Sequence, residues 1–569
     1  DTRELDLHLF VVVDQLHRGS VHIRDTEERI ELARLSLRAG ECASAAAAFL
    51  PASAYLKAGM ELLADGDWQS EDTRRLCLDL YHLCVETEYV LGEFDSMERH
   101  LDEVLERGLT LRENLRAYFT LVRGMGARGR VSNAIDTASS ILSQLGEGLP
   151  ENPTEQSVKE EITATSLLLA GETEESLLRR ETMEEPDKLS AMKFLHVVLY
   201  YFFTERKSHF PLVISRMVRL SVLHGICRES AQAFACYGSL LCGILGDYGE
   251  GCRYGAVALR LLDRFQAGNQ LAKVYGAVYV LIKPWCEPVQ ACLPPLLRAI
   301  DAGLATGDVQ HAMTAAHSYA GLALTSGQTL GPLVEEMMSH ARQMAEYGQN
   351  FQRYVTKPCW QTALNLVGRA GTGDPARLIG EEMNEDSLLG PLEAGPSNHI
   401  GFLTRSYRLW LEFLFGHHER AWRTRAQISQ EMSSTSIFAL FPAFCNDVLY
   451  SCLAALALAR EEDVDAARGA SSENSKAEYD AVVSETMTQM EEWATLTPWN
   501  CLNKLKLMKA EYAYTKGDYT LAGDEYVLAI ELSKKHRFIH EEGLAYERYG
   551  IFLEERGDRE GATDMFLKA

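Results

Sequence analysis

Two stretches near the end of the chain share one spacing of small and aromatic residues. Residues 517–529 read G-D-Y-T-L-A-G-D-E-Y-V-L-A, and residues 557–569 read G-D-R-E-G-A-T-D-M-F-L-K-A. Each begins with Gly, and each places Ala, an aromatic residue and a second Ala at the same later positions. A further small residue stands seven positions before each Gly. The matched positions are Ala510, Gly517, Ala522, Tyr526 and Ala529, and then Gly550, Gly557, Ala562, Phe566 and Ala569.

This spacing is typical of a helical hairpin. Gly ends a helix readily because it adopts the left-handed backbone conformation at little cost. On the second helix, Ala, the aromatic residue and the second Ala recur at steps of four and three, so they share one face. Small residues let two helices approach closely, and the aromatic ring fills the groove between neighbouring hairpins. This is the tetratricopeptide pattern, with a period of 40 residues here where about 34 is usual.

Other parts of the chain repeat the step from Gly to Ala. It recurs at Gly129, Gly307 and Gly416, and degenerate turns lie at Gly92 and Gly246. Near the N-terminus all four positions of the frame recur, as Gly40, Ala45, Phe49 and Ala52. No stretch shows sustained period-two alternation, which is the signal of a half-buried strand. The sequence therefore predicts an all-α fold, a tetratricopeptide-like α-solenoid in which helical hairpins form a right-handed superhelix with essentially no sheet.

Turn-forming and polar residues divide this array. We predict N-terminal helical repeats over 1–145, central repeats over 146–370, irregular repeats with long loops over 371–478, and a C-terminal tetratricopeptide-like pair over 479–569. Residues 146–158 and 371–399 are rich in Gly, Pro and Asn, which favours loops. Residues 461–478 contain no aromatic residue and a single β-branched one, so we predict a disordered loop there.

The charge of the chain argues against two classes of partner. It carries 56 Lys and Arg against 81 Asp and Glu, a formal net charge of −25. Because surfaces that bind nucleic acid or anionic membranes are basic, we expect neither partner. No apolar run approaches the ~20 residues of a membrane span, and the charged residues 1–6 argue against a signal peptide. The chain begins with Asp1 rather than Met, so it can be a fragment of a longer product.

The cysteines indicate the compartment. There are 13 of them, without any C-x-x-C pair. Several stand in apolar helical contexts, such as Cys236, Cys242, Cys445 and Cys452. Buried reduced thiols fit this usage, so we predict a cytoplasmic, reducing location.

Several blocks along the chain carry a family resemblance. They are L-F-V-V-V-D-Q-L-H-R-G at Leu9–Gly19, the Leu- and Ala-rich Glu28–Gly40, Gly246–Gly251, Ala302–Asp308, W-A-T-L-T-P-W-N-C-L-N-K at Trp493–Lys504, and His536–Glu547. In this order they resemble the helical-repeat region of multi-sensor signal-transduction kinases that carry a STAND-type (AAA-like) ATPase. Those kinases have D-Q-L-N-x-G and W-A-x-x-x-P-x-N in the first and fifth blocks, and this chain departs by His17 in place of Asn.

The resemblance implies a place between two modules. In that family the region connects the ATPase to a C-terminal output module, such as a histidine kinase or a nucleotide cyclase. This chain contains neither module. For this chain, the resemblance implies a connector that is not an enzyme and that binds no cofactor.

Two clusters raise the question of a metal. His540, Glu541 and Glu542 resemble the first half of a zinc-protease H-E-x-x-H helix, but the second His position is Leu544. We therefore expect a solvated helix start. His417 and His418 are adjacent, and adjacent helical residues point in different directions, so we expect an exposed turn pair rather than a chelate.

Three further features have plainer interpretations. Gly368–Pro375 contains close glycines but lacks the Lys and Ser/Thr of a P-loop, so we expect a helix stop. The aromatic run Tyr200–Phe203 is expected to be core rather than a ligand pocket. The carboxylates Glu491, Glu492, Glu541 and Glu542 are expected to be surface charge rather than an acid–base pair. No catalytic, cofactor or metal residue is assigned from the sequence.

Two functional hypotheses remain open. In the first, the chain is a helical-repeat scaffold that binds protein partners or relays between an ATPase and an output module. In the second, it is a ligand-sensing domain with a small-molecule or peptide pocket within residues 189–260. An open pocket with converging polar groups would favour the second hypothesis, and a filled core would favour the first.

Overall fold

Helices account for every regular element that the structure describes. The computed structural model describes residues 2–387, 398–432, 444–467 and 473–569. Within these ranges extended backbone pairs only at two isolated bridges, Thr182–Ile226 and Ile379–Asn384. The predicted all-α fold is confirmed, and the right-handed superhelix stays a prediction. Among the described helices, none combines the length and the apolar character that a bilayer crossing requires.

The chain packs into two compact units. Unit 1 comprises Asp1–Ala170 and Glu181–Glu229, and unit 2 comprises Gly171–Arg180 and Ser230–Ala569. The helices of unit 1 are α1 (Thr2–Arg18), α2 (Thr26–Ala45), α3 (Phe49–Glu61), α4 (Glu71–Leu91), α5 (Phe94–Arg107), α6 (Leu111–Ala127), α7 (Val131–Gln144), α8 (Glu155–Leu169), α10 (Pro186–Glu205) and α11 (Phe210–His224). The four-part division of the repeats stays a prediction.

Unit 2 contains the larger part of the chain. Its helices are α9 (Glu174–Arg179), α12 (Ser230–Leu240), α13 (Tyr248–Arg264), α14 (Leu271–Gly276), α15 (Leu293–Thr306), α16 (Val309–Thr325), α17 (Leu330–Glu346), α18 (Asn350–Leu366), α19 (Asn398–Leu414), α20 (His418–Met432), α21 (Phe444–Ala467), α22 (Glu473–Leu496), α23 (Pro498–Thr515), α24 (Tyr519–Lys535), α25 (Ile539–Glu555) and α26 (Arg559–Lys568).

Left-handed glycines end many of these helices. Gly517 follows α23 with φ 82°, and Gly557 follows α25 with φ 86°. The other glycines that the sequence assigns to turns also have positive φ, with the exception of Gly40; they are Gly92, Gly129, Gly246, Gly307 and Gly416. The helical hairpins therefore begin and end where these glycines place the turns.

The first complete hairpin keeps the frame but shifts it by seven residues. Gly40, predicted as the turn, lies inside α2, and Ala47 forms the turn with a left-handed φ of 57°. Gly40 instead stands seven positions before the turn, as Ala510 and Gly550 do in the later hairpins. A Cβ on Gly40 would lie 2.6 Å from the Leu56 Cγ, so the close approach of α2 and α3 excludes a side chain there.

The same shift corrects the predicted roles of Ala45 and Phe49. Ala45 is the exposed last residue of α2, and Phe49 is the half-buried first residue of α3. The frame positions after the real turn are Ala52, Leu56 and Gly59, of which Ala52 and Leu56 are fully buried. The prediction was wrong because an Ala, rather than a Gly, forms this turn, while Gly40 precedes Ala45 by the same five-residue step.

One predicted loop is largely helical. Residues 461–467 belong to α21 and residues 473–478 belong to α22, so the predicted disordered loop is wrong for both. The high content of Ala and Glu in these residues suits a helix, although they have no aromatic side chain. Residues 468–472 lie outside the described residues, as do residues 388–397 of the loop predicted over 371–399.

The cysteines are mostly buried thiols, with one exception to the prediction. Cys252 on α13 and Cys286 form a disulfide, with their Cα atoms 6.6 Å apart. This pair contradicts the expectation that the cysteines are reduced thiols. The two residues meet because the turn at residues 283–285 brings Cys286 back against α13. The other cysteines are free thiols, all buried except Cys42.

Candidate functional site

A polar junction in unit 2 joins the start of α23 to a Pro-rich segment far earlier in the chain. Pro284 and Pro288 interrupt helix formation, so the backbone groups around them need partners outside a helix. The Asn500 side chain supplies them: its Nδ2 donates to the carbonyl oxygens of Pro284 (2.7 Å) and Glu287 (3.0 Å). Its Oδ1 accepts from the backbone N–H of Val289 at 3.0 Å. We use "polar junction" for residues 284–290, 497–504 and 536–541.

Further contacts hold the junction in place. The Gln290 Nε2 donates to the carbonyl oxygens of His536 (3.1 Å) and Ser326 (3.3 Å). The Trp285 ring lies 5.9 Å from the Trp493 ring, between centroids, in an edge-to-face arrangement. The block W-A-x-x-x-P-x-N therefore delivers Trp493 and Asn500 to the same segment.

A buried ion pair forms the floor of the junction. The Lys504 Nζ lies 2.7 Å from the Glu541 Oε1, and both side chains are almost fully buried. The same ammonium donates to the Asn500 carbonyl oxygen at 3.0 Å and lies 4.3 Å from the centre of the Phe538 ring. Burial lowers the pKa of Lys504, but the charge of Glu541 outweighs this effect and raises the pKa above its ordinary value. The Asn503 Nδ2 also donates to the Glu541 carboxylate.

Beside this pair lies a small cavity. Asn500, Cys501, Lys504 and Phe538 contribute to its wall, as does Cys445 of α21, whose Sγ lies 3.4 Å from that of Cys501. The cavity has room for about one water molecule. A metabolite or a peptide side chain does not fit in it.

A second buried charge network holds the C-terminal hairpins together. The Glu511 carboxylate accepts from Arg548 Nε (2.7 Å), from Arg460 (2.6 Å) and from the Tyr526 hydroxyl (2.7 Å). Burial raises the pKa of Glu511, but the two guanidinium groups outweigh this effect and hold it well below its ordinary value. Glu511 is therefore a buried anion with three donors from separate helices.

Some of the predicted repeat positions of the last two hairpins are buried where helices meet, whereas Phe566 and Ala569 do not fill such a buried position. Ala510, Ala522, Tyr526 and Ala529 are fully buried, and Ala562 is almost so. A Cβ on Gly550 would lie 2.7 Å from the Phe566 ring, which shows how closely α25 and α26 pack. Phe566 itself is 40% exposed, and Ala569 is exposed at the end of the chain. These residues position helices and bring no reactive groups together.

The prediction that Glu541 is a solvated surface residue was wrong. Glu541, expected to be a solvated residue at a helix start and part of a surface charge, is only 2% exposed. It lies under the junction because α25 begins against α23, where Lys504 and Asn503 neutralise and satisfy its carboxylate. The neighbouring His540 is half-buried, and burial lowers its pKa to about 4.

The histidine pair, the close glycines and the aromatic run that the sequence analysis considered do not form sites among the described residues. His418 Nδ1 lies 2.8 Å from Glu461, whereas His417 Nε2 lies 3.8 Å from Asp374, so the two rings engage different carboxylates. Gly368 follows α18 with φ 80°, which is a helix stop. In the aromatic run, Phe202 is buried and Phe203 is 37% exposed.

Several residues of these networks were not found from the sequence. Asn500 stands in a quoted block, but its partners lie over 200 residues earlier. In unit 1, His17 donates to or accepts from Ser36 Oγ at 2.8 Å. The unit 1 cluster of Cys84, Glu88 and His100 was missed as well. Its only local signal is the four-residue spacing of Cys84 and Glu88, which places both on one helix face.

Comparison with known proteins finds similarity to a signalling protein. No protein-family model matches the chain. The chain is similar to the hybrid signal transduction histidine kinase G of Dictyostelium discoideum, with 19% identity over 392 residues. The matched region is 63% of this chain and 11% of that kinase, so the chain spans a small part of the relative.

Proposed function

We propose that this chain is a non-enzymatic helical-repeat segment of a signal-transduction protein, which relays changes between neighbouring modules, an ATPase and an output module. Support comes from the all-α architecture and from the similarity to a hybrid histidine kinase. The sequence resemblance to kinases with a STAND-type ATPase names the modules. The matched region is 11% of that kinase, so most of the relative lies outside it.

The polar junction is the observation that carries the relay. A tetratricopeptide groove that binds an extended peptide must offer polar groups to the peptide backbone. In unit 2 the Asn500 side chain offers its groups to residues 284–289 of the same chain. These groups are therefore engaged within the chain, and the contact ties residues 284–289 to the start of α23. A displacement at one end is then carried to the other through packed helices.

The ligand-sensing alternative has less support. The region proposed for its pocket, residues 189–260, is densely buried along α10–α13. A filled core of this kind favours the first hypothesis.

The test uses the complete gene product. The full reading frame is sequenced first. The protein that it encodes is then produced whole, with this chain and with any ATPase and output modules present. ATP-dependent change of the output activity is measured in the wild type, in Asn500→Ala and in Asn269→Ala, an exposed Asn of unit 2 that serves as the control. We expect Asn500→Ala to retain ATPase turnover and basal output while losing at least half of the ATP-dependent change.

Two results would overturn the proposal. One is a reading frame without such modules, together with no binding between this chain and separately produced signalling modules. The other is unaltered coupling in Asn500→Ala when hydrogen exchange shows that residues 284–290 have come loose.

A further inference from the structure

Three side chains with metal-ligating atoms converge inside unit 1. Cys84 and Glu88 stand one turn apart on α4, and His100 faces them from α5. One ligand atom of each lies within 4.8 Å of the other two. Cys84 and Glu88 are fully buried, whereas the His100 side chain is 18% exposed. The three ligand types therefore meet at the edge of the core.

The hairpin fixes this arrangement. Gly92 ends α4 in the left-handed conformation, with φ 73°, and α5 returns antiparallel along the same face. The Tyr81 ring packs edge-to-face on the His100 ring at 6.1 Å between centroids. The His100 Nδ1 lies 2.9 Å from the Glu88 Oε2. The imidazole is thus held beside the carboxylate by packing from the preceding turn of α4.

Glu88 is a buried anion. Burial raises its pKa, but hydrogen bonds from His100, Ser96 and Lys57 outweigh this effect and lower the pKa below the ordinary value. The Ser96 hydroxyl donates to Oε1 at 2.7 Å, and the Lys57 Nζ lies 3.0 Å from the same oxygen. A carboxylate that stays ionised inside a protein is a ready ligand for a cation.

We infer that Cys84, Glu88 and His100 form a binding site for a divalent transition metal of the zinc class. Thiolate, imidazole and carboxylate are the ligands of Zn²⁺, at roughly 2.3, 2.0 and 2.1 Å from the ion. Donors at such distances lie roughly 3–4 Å from one another. The three ligand atoms here lie within 4.8 Å of one another, and the His100–Glu88 hydrogen bond of 2.9 Å gives way to bonds to the ion. A hard cation such as Mg²⁺ does not select a thiol and an imidazole. Three protein ligands leave a fourth position of the tetrahedron for water.

The charges balance when the ion enters. The Cys84 thiol releases its proton to water as the metal–sulfur bond forms, and His100 binds as neutral imidazole. One thiolate and one carboxylate then neutralise the divalent ion. Lys57 has a second partner, because its Nζ also lies 2.9 Å from the exposed Glu93 carboxylate. When the ion takes its place at Glu88, the ammonium gives up that ion pair and keeps the one with Glu93.

The thiol sets the condition for binding. Cys84 is fully buried, so a thiolate there needs a cation beside it. Metal coordination supplies the energy for that deprotonation, as in other thiolate sites. The alternative is a metal-free polar network, in which the Glu88 carboxylate serves only Lys57, Ser96 and His100. Metal titration separates these two cases.

The experiment titrates the whole chain, after treatment with a chelator, with Co²⁺ alone and then displaces it with Zn²⁺. We expect one equivalent of Co²⁺ to produce a thiolate charge-transfer band and the visible bands of a four-coordinate ion. Cys84→Ser removes the charge-transfer band. Cys42→Ser retains it, although Cys42 is the exposed thiol and thus the best adventitious ligand.

A second variant protects the test against misfolding. His100→Gln changes a partly exposed residue, and it should weaken Co²⁺ binding by more than the about 10–100-fold that loss of an outer partner causes. Helix content by circular dichroism is compared for all variants. The inference is overturned if the wild type gives no thiolate band, or if Cys42→Ser abolishes the band while Cys84→Ser keeps it. Unchanged affinity in a folded His100→Gln overturns it as well.

Discussion

The Asn500 Nδ2 donates to the Pro284 carbonyl oxygen at 2.7 Å, across 216 residues of sequence. This contact closes unit 2 on itself, because residues 284–290 precede α15 while Asn500 lies in the first turn of α23. Both groups are buried, so each depends on the other for its hydrogen bond. The contact therefore ties together two segments of unit 2 that lie far apart in the sequence.

Removing the Asn500 amide should loosen that tie. In Asn500→Ala the Pro284 and Glu287 carbonyls and the Val289 N–H lose their partner, and each buried orphan costs about 1–3 kcal/mol. We expect faster hydrogen exchange at the Val289 amide and a lower thermal midpoint. Asn269→Ala, at an exposed Asn, should change neither. Native-like exchange at Val289 in Asn500→Ala would contradict the assigned role of the amide.

Local sequence signals predicted the fold well and the junction poorly. Gly517 and Gly557 were recognisable because a turn and its flanking small residues lie within about ten positions. The Asn500 block was visible too, but nothing near it in sequence reveals its partners at residues 284–289. Glu541 was misjudged for the same reason, since adjacent carboxylates are usually solvated and the buried Lys504 belongs to another helix. Long-range pairing leaves no periodic trace.

The Glu511 network should make unit 2 sensitive to acid. The Arg548 and Arg460 guanidinium groups hold the pKa of Glu511, against its burial, below the 4.5 of an ordinary Glu. A lowered folded pKa means that the stabilisation is complete above the unfolded pKa and is lost as the pH falls from about 5 through 4.5 and below. Glu511→Gln should cost about 3 kcal/mol near pH 7, because two buried cations lose their anion.

The pH dependence distinguishes this effect from a simple loss of packing. The difference in unfolding free energy between the wild type and Glu511→Gln should stay at about 3 kcal/mol from pH 6 to 8. It should shrink below pH about 4.5. Urea unfolding at each pH measures it. Glu531→Gln, at an exposed position on α24, is the matched control and should show no such trend. A difference that stays constant down to pH about 3 would contradict the assigned charge state.

One chemical change at two glycines should have opposite signs. Gly40 faces Leu56 so closely that an added Cβ lies 2.6 Å from its Cγ, whereas a Cβ on Gly523 meets nothing within 4 Å. Gly40→Ala should therefore destabilise its hairpin by about 1–3 kcal/mol through overpacking. Gly523→Ala, inside α24, should stabilise by about 0.5–1 kcal/mol because Gly weakens a helix interior.

Hydrogen exchange of α2–α3 and of α24 measures each effect locally. Equal signs at the two positions would contradict the seven-residue shift of the first hairpin. The register at Gly40 shows why a frame alone is an imperfect guide: α2 accepts Gly40 as a packing residue, and Ala47 takes the left-handed turn with an unfavourable Cβ. A turn is predicted at Gly because Gly adopts positive φ most easily. Here Gly40 is instead needed at the contact between α2 and α3, and Ala47 forms the turn.

The buried pair of Lys504 and Glu541 should show strong energetic coupling. Removing either partner alone, in Lys504→Met or Glu541→Gln, leaves an uncompensated buried group and should cost about 3–5 kcal/mol. The double variant removes both charges, so its cost should fall short of the sum by about 1–3 kcal/mol. The exposed pair Lys516 and Asp480, at 3.0 Å with both side chains over 40% exposed, is the matched control. Its cycle of Lys516→Met and Asp480→Asn should give a coupling below about 1 kcal/mol.

Because Lys504 also bonds to the Asn500 carbonyl oxygen, Lys504→Met should speed hydrogen exchange at the Val289 amide, whereas Lys516→Met should not. Additive costs for Lys504 and Glu541 would mean that the two charges are solvated separately and that the ion pair does not support the junction.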